Sequence, residues 1–247
     1  MNSSLKATLK RHLPTFIKRL ANRLNLYSEF IPAPGKINWG DFKSAKPFSN
    51  DFGFDRGGPV DRYYIENFLE AESPVIKGNV LEIADNAYTI KYGGNKVTKS
   101  DVLHVNDGAP GATYIADLSK ADSLPSDYFD CIILTQTLQF IYDYASALKH
   151  CYRMLKKGGV LLVTVPGISP IEGGEWRKNW LWSFNEASMN RVFAEFFPAD
   201  SFTVQAHGNV YAAISFLHGV GIVETDRSKL DIRDTSYDVI ITIRLKK

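Results

Sequence analysis

With two cysteines in 247 residues, Cys131 and Cys151, the chain has too few for a disulfide framework, and their spacing is not that of a zinc site. Both are expected to be reduced and structural, and no metal is expected. No uninterrupted run of eighteen apolar residues occurs, so no membrane-spanning helix is expected. The N-terminus has no continuous apolar segment followed by a small-residue cleavage site, which reads against secretion and for a cytoplasmic protein. Charge of one sign is not in excess: the net value is +2, and no nucleic-acid partner is expected from it. There is no internal repeat and no low-complexity tract. A hydrophobic content of 45% over this length suffices for one substantial core, and one main domain is expected.

Acidic residues are missing before Glu29, and basic ones are plentiful there. Leu5, Leu9, Leu13, Phe16, Ile17, Leu20 and Leu24 recur at helical spacing, interleaved with Lys6, Lys10, Arg11, Lys18, Arg19 and Arg23. Such a stripe suits packing on the domain itself, a homodimer contact or a reversible membrane-surface contact, with Pro14 forming a kink or break. From Tyr27 to Gly58 the chain is rich in Pro, Gly, Ser, Asn and aromatics and predicts an irregular arm. Residues 1–58 thus form a basic helix and arm ahead of a domain at 59–247. Pro59 opens a helix whose apolar face includes Val60, Tyr63, Tyr64, Phe68 and Leu69, ending near Ser73 and Pro74.

The rhythm then changes. Val80 to Ala84, Asp101 to Val105, Thr113 to Ala116, Phe129 to Thr135 and Val160 to Val165 are short runs suited to parallel strands buried on both faces. Helical spacing marks Tyr142 to Leu155, ended by Lys156, Lys157, Gly158 and Gly159. Helices are also expected at Phe184 to Phe197 and Val210 to His218, and strands at Phe202 to Ala206 and Val239 to Leu245. Alternating strands and helices predict an α/β fold. In such sheets ligands bind beyond the carboxyl ends of the strands, which directs attention to Glu82, Ala84 and Asp85, to Asp117 and Leu118, and to Thr135 and Gln136.

Three stretches carry a resemblance: Arg56-Gly57-Gly58-Pro59-Val60-Asp61-Arg62-Tyr63-Tyr64-Ile65-Glu66, Phe129 through Phe140, and Leu155-Lys156-Lys157-Gly158-Gly159 leading into Val160 to Pro166. The chain resembles the class I S-adenosylmethionine-dependent methyltransferases, in particular the type-11 methyltransferase family. The resemblance implies a Rossmann-like, seven-stranded, mostly parallel sheet in the order 3-2-1-4-5-7-6 with an antiparallel seventh strand, and S-adenosylmethionine as cofactor. It assigns Glu82 and the following turn to the methionine and ribose end, and Asp117 with the Leu118 amide to adenine. A helix-capping role is the alternative for Asp117. The turn itself departs from the family, because Ala84-Asp85-Asn86-Ala87 contains no glycine. Ala84 is the mildest replacement, Asn86 tolerates left-handed geometry, and an altered but usable turn is expected. His104, Asn106 and Asp107 stand where relatives place a ribose-binding acid. Thr135 and Gln136 are either cofactor contacts or polar strand ends.

Methyl transfer from a sulfonium needs alignment and exclusion of water. A hydroxyl acceptor needs a general base in addition, and His207 is the candidate, with His218 and His104 behind it. A carboxylate acceptor, such as a small acid or a peptide C-terminus, needs none, and Arg177, Trp180 and Trp182 would then form its pocket or simply close the core. O-methylation of a carboxylate or of a sugar or natural-product hydroxyl is the expectation. Two other readings stay open: a catalytically silent protein on the same fold, and a nicotinamide-dependent oxidoreductase. The missing GxGxxG and Tyr-x-x-x-Lys patterns weigh against the latter.

Overall fold

The short apolar runs become the strands of one sheet. The computed structural model describes residues 13–24, 26 and 30–247. Its strands are β1 (Gly78–Ile83), β2 (Val97–His104), β3 (Tyr114–Ile115), β4 (Phe129–Thr135), β5 (Leu155–Pro166), β6 (Phe202–His207) and β7 (Ile240–Lys246). They lie in the order β3-β2-β1-β4-β5-β7-β6. β7 is antiparallel to both its neighbours, and the other pairings are parallel. The class I methyltransferase architecture implied by the resemblance is therefore present.

Helices cover both faces. On one face Leu81, Ile132, Leu134, Leu161, Val163, Ile241 and Ile243 pack in a cluster with residues of α3 (Tyr144–Met154) and α4 (Glu186–Phe196). On the other, Val80, Cys131, Ile133 and Leu162 pack with residues of α2 (Val60–Ala71) and α5 (Val210–Leu217). Burial on both faces explains why these strands read as continuous apolar runs without alternation. Helix starts are set by side-chain caps: Asp143, Asn185 and Asn209 accept from the amides of Ser146, Ser188 and Ala212. Both cysteines are buried and unpaired.

Two strand starts lie well ahead of expectation: β2 begins at Val97, not Asp101, and β5 at Leu155, not Val160. The Lys-Lys-Gly-Gly stretch does not end α3 as a loop; β5 already begins at Leu155, opposite Phe129, and a register shift lies between Phe129 and Cys131. The cause is the chain's end. Gly158 donates to the Lys247 carbonyl and Lys247 donates to the Gly159 carbonyl, so the turn is held as an extension of the sheet.

The chain divides into two compact units, Met1–Ala45 and Lys46–Lys247. In the first, α1 (Thr15–Arg23) starts directly after Pro14, which occupies its N-cap position. Phe16, Leu20 and Leu24 are exposed on it, while Leu5, Leu9, Lys6, Lys10 and Arg11 lie outside the described residues, as does Tyr27 at the start of the arm. Among the described residues no helix is long and apolar enough to cross a membrane. The rest of the arm, 46–58, belongs to the second unit. Phe48 and Ser49 amides donate to the His218 carbonyl, and the Ile222 amide donates to the Gly58 carbonyl at 2.8 Å. Gly221 lies against the Arg56 backbone so closely that a β-carbon there would collide with the Arg56 carbonyl oxygen. Gly221→Ala should therefore destabilise the fold by about 2–4 kcal/mol, as expected for overpacking against backbone. Urea unfolding measures it, and a change below 0.5 kcal/mol would show that the arm yields.

Candidate functional site

The turn after β1 is built around a buried acid. Glu82 is 2% exposed, and both its carboxylate oxygens accept backbone amides, Oε1 from Tyr88 at 3.2 Å and Oε2 from Thr89 at 2.7 Å. Burial raises its pKa, against the lowering effect of these bonds. Glu82 thus braces the start of the π-helical turn Thr89–Gly93 from beneath. The intervening loop keeps the conformation that glycine normally supplies: Ala84 has φ +76°, while Asn86 is not in the left-handed region. Asp85 Oδ1 accepts the Ala87 amide within the turn, and Asn86 Nδ2 donates to Ser100 Oγ.

Beside this loop, at the N-terminus of α2, stand Asp61 and Arg62. Arg62 donates to the Tyr88 hydroxyl and lies over the Tyr88 and Phe54 rings at 5.5 and 5.9 Å. Asp61 Oδ1 is buried without a hydrogen-bond partner, and burial pushes the carboxyl up to about 6 despite Arg62 beside it. A buried unpaired carboxylate oxygen is costly unless something cationic or donating completes it.

At the other strand ends, Asp117 Oδ1 accepts both the amide and hydroxyl of Ser119, capping the turn Leu118–Lys120. Its Oδ2 takes no part in that cap, so capping and ligand contact are compatible. Leu118 is buried. Thr135 is half-buried, and its carbonyl accepts from Thr137 Oγ1. Gln136 takes φ +47° and turns onto β5, its amide and Nε2 donating to the Thr164 carbonyl and Oγ1 at 2.9 and 3.2 Å. At the β2 end, His104 Nδ1 accepts the Asn106 amide.

The two tryptophan candidates part company. Trp180 stacks on Phe52 at 6.3 Å and meets Phe140 edge-on at 5.3 Å, while Phe140 also touches Trp176 and Phe52 touches Phe216. These rings come from the arm, the β4 loop, the β5 loop and α5. Trp182 instead donates to the Ile141 carbonyl and packs with Tyr142, Tyr144 and the core on the opposite face. Arg177 is exposed on the turn Glu175–Asn179. Phe52, Phe140 and Asp61 escaped the sequence reading; the aromatic richness of the arm was the available signal for Phe52.

His207 is not brought to this place. It ends β6, the sheet's edge strand, three strands from β4 and so roughly 14 Å away at usual strand spacing. Its Nε2 lies 2.9 Å from Thr242 Oγ1, its ring stacks on Tyr64, and burial, with Arg233 adding to it, depresses its pKa to about 4.

Glu82 and Ala84, with Asp61 and Arg62 at the start of α2 and Arg62 bonded to Tyr88, stand at the end of β1, and Gln136 at the end of its neighbour β4. This is the switch point where a nucleotide-like ligand is expected; Asp117 follows β3, two strands from β1. The profile of the methyltransferase-domain family matches residues 59–213. The chain belongs to this family. Its fold is that of the class I S-adenosylmethionine-dependent methyltransferases, and the nicotinamide reading is set aside. An 88-residue stretch is 33% identical to the ubiquinone/menaquinone biosynthesis C-methyltransferase UbiE of Pectobacterium carotovorum subsp. carotovorum (strain PC1), covering 35% of this chain and 33% of that protein. The chain thus matches about a third of the length of such curated relatives. Among solved structures, the phosphoethanolamine N-methyltransferase 2 of Haemonchus contortus with S-adenosyl-L-methionine is 14% identical with a TM-score of 0.52, over 86% of this chain and 60% of that one. A SAM-dependent methyltransferase from Archaeoglobus fulgidus is 11% identical with a TM-score of 0.50, over 75% and 94%.

The methyltransferase turn fits its usual ligand here despite lacking glycine, because Ala84 adopts glycine's geometry and Asp61 offers an uncompleted acid beside it. Holding alanine left-handed costs about 1–2 kcal/mol, whereas glycine adds roughly 0.4–1 kcal/mol of unfolded-state entropy. Ala84→Gly should therefore raise stability by up to ~1 kcal/mol, read from the denaturant midpoint. Destabilisation beyond 0.5 kcal/mol would mean the methyl group is itself packed.

Proposed function

We propose that this protein transfers the methyl group of S-adenosylmethionine to an oxygen of a small-molecule or peptide acceptor, a carboxylate in preference to a hydroxyl. The observation that carries the reading is the left-handed Ala84 turn, braced by Glu82, at the β1/β4 switch. The methyltransferase domain of this reading is 59–247; the family match begins at residue 59, within the compact unit Lys46–Lys247. In this reading the free Oδ2 of Asp117 accepts the adenine amine, the Leu118 amide donates to the ring, and Ala84 and Asp85 let the loop lie along the ribose and methionine. Arg62 and Asp61 offer opposite charges to a zwitterionic amino-acid end. Thr135 and Gln136 close the floor.

The bound cofactor supplies an electrophilic methyl on a sulfonium; what remains for the chain is alignment and dryness. Phe52, Phe140, Trp176 and Trp180 wall the acceptor side and exclude water, and Arg177 on the same loop attracts an anionic group. The preference for a carboxylate follows from His207: a nitrogen held by Thr242 on the edge strand, with a pKa near 4, is a poor base for a hydroxyl. A second reading, methylation at carbon of an aromatic ring, is favoured by the aromatic wall and by the C-methyltransferase name of the partial relatives.

Calorimetry with S-adenosylmethionine, S-adenosylhomocysteine and NAD tests the cofactor assignment. Either sulfur ligand should bind and NAD should not; no binding of either at millimolar concentration would end the methyltransferase reading. Asp117→Ala should weaken binding by about 1–3 kcal/mol, and an unchanged affinity would leave Asp117 only its capping role. A mass-gain screen of small carboxylic acids, hydroxylated sugars and phenolic rings then separates acceptors. A base-labile ester supports the carboxylate, an ether the hydroxyl, and a base-stable ring product the carbon reading. Cofactor binding without any turnover would favour the catalytically silent protein.

The exposed apolar residues of α1, with Lys18 and Arg19 beside them, extend the proposal to association through a homodimer or an anionic membrane surface. Removing residues 1–26 should leave cofactor affinity nearly unchanged while altering oligomeric state or vesicle co-sedimentation. A truncated chain that no longer folds would show that this segment fills the core.

A further inference from the structure

At the sheet's edge, between α2, β6, β7 and the segment following α6 (Arg227–Leu230), lies a cavity of about 660 Å³. That volume is in the range of small-molecule sites. Thr203, Gln205 and His207 of β6 and Thr242 and Arg244 of β7 form its floor, and Tyr63, Tyr64 and Phe68 of α2 form one wall. We propose that this cavity is a second ligand site, separate from the cofactor crevice, for a planar, non-anionic molecule that carries an N–H or O–H donor.

The exclusion of an anion follows from how the lining cations are spent. Arg244 pairs with Glu72 at 3.0 Å, Arg233 with Glu186 at 2.8 Å, and Asp231 accepts the Tyr63 hydroxyl at 2.5 Å. An anionic ligand would enter without a free counter-charge and would have to break one of the two arginine pairs, whereas Asp231 keeps its negative charge. Planarity follows from the aromatic wall: the Tyr64 ring is fixed by a bond from its hydroxyl to the Leu230 carbonyl and stacks on His207 at 5.7 Å.

The requirement for a donor follows from the tautomer. Thr242 Oγ1 lies within donating distance of the Gln205 carbonyl at 3.3 Å, and with its proton placed there the network assigns the 2.9 Å His207 contact as a donation from Nε2–H. Nδ1 is then a lone-pair acceptor, and no described residue donates to it. Burial keeps the ring neutral, with Arg233 adding to the effect and Glu186 opposing it. The cavity thus holds an immobilised acceptor whose orientation is settled before any ligand arrives, which is the arrangement that lowers the entropy lost on binding.

The test uses the full chain, labelled with ¹⁵N in its histidine rings, and three probes of similar size: indole, which carries one N–H donor, naphthalene, which has none, and 1-naphthoate, which is charged. Indole should saturate and move the His207 Nδ1 resonance, with naphthalene and naphthoate binding roughly tenfold more weakly, the equivalent of one hydrogen bond. His207→Phe should lower indole affinity by a similar factor, and the direct resonance shift in the unaltered protein carries the test if that variant does not fold. Saturating S-adenosylhomocysteine should leave indole binding in place. An unmoved His207 resonance, equal binding of naphthalene or naphthoate, or displacement by S-adenosylhomocysteine would each overturn the proposal. The outcome does not depend on whether methyl transfer is observed.

Discussion

The structure turns on the contact between the Glu82 carboxylate and the amides of Tyr88 and Thr89. A buried carboxylate is tolerable only when its oxygens are satisfied, and here two consecutive amides at the start of a π-helical turn do so. The consequence reaches outward. The five residues between strand and turn must close a tight loop, and the backbone passes through the left-handed region at Ala84. Tyr88 is thereby held where Arg62 can bond it, which fixes the entry of α2 over the loop. The brace, the strained alanine and the helix entry are one constraint seen at three places.

Helix α2 is the element that distributes this constraint. Its first residues place Asp61 and Arg62 beside the loop after β1, Tyr63 and Tyr64 follow against the edge cavity, and Glu72 just beyond its end pairs with Arg244 of β7. One helix therefore borders both the crevice and the edge cavity. The arm before it is tied to residues 218–222 by backbone bonds, with Gly221 allowing the two chains to touch. Phe52 is carried by that arm to Trp180, so the aromatic wall depends on contacts far from the rings themselves.

How much of this was legible in the chain depends on the range of the interaction. Strand positions were legible because doubly buried strands leave apolar runs such as Phe129–Thr135, and helix positions because apolar residues recur at helical spacing, as over Tyr142 to Leu155. The strand order came through family resemblance, since no local pattern records which strand neighbours which. Asp117 was legible as a cap or a ligand contact because both depend on its position after a strand. The register shift at Leu155 was not, because it depends on the Lys247 carbonyl, ninety residues away in sequence.

By itself the sequence determined the α/β class, the glycine-free turn and the groups available to the site: an acid in the first strand, an acid after the third, and tryptophans after the fifth. Only the tertiary structure decided how those groups are used. Trp180 and Trp182 are two residues apart, yet one joins the aromatic wall and the other the opposite core. His207 stands at a strand end, as expected, but β7 lies between its strand and β5, which moves it to the edge. The physical reason is that periodicity and capping are local, whereas strand order, facing and burial follow from contacts between distant segments, and those alone set which polar atoms meet a partner and which are left for a ligand.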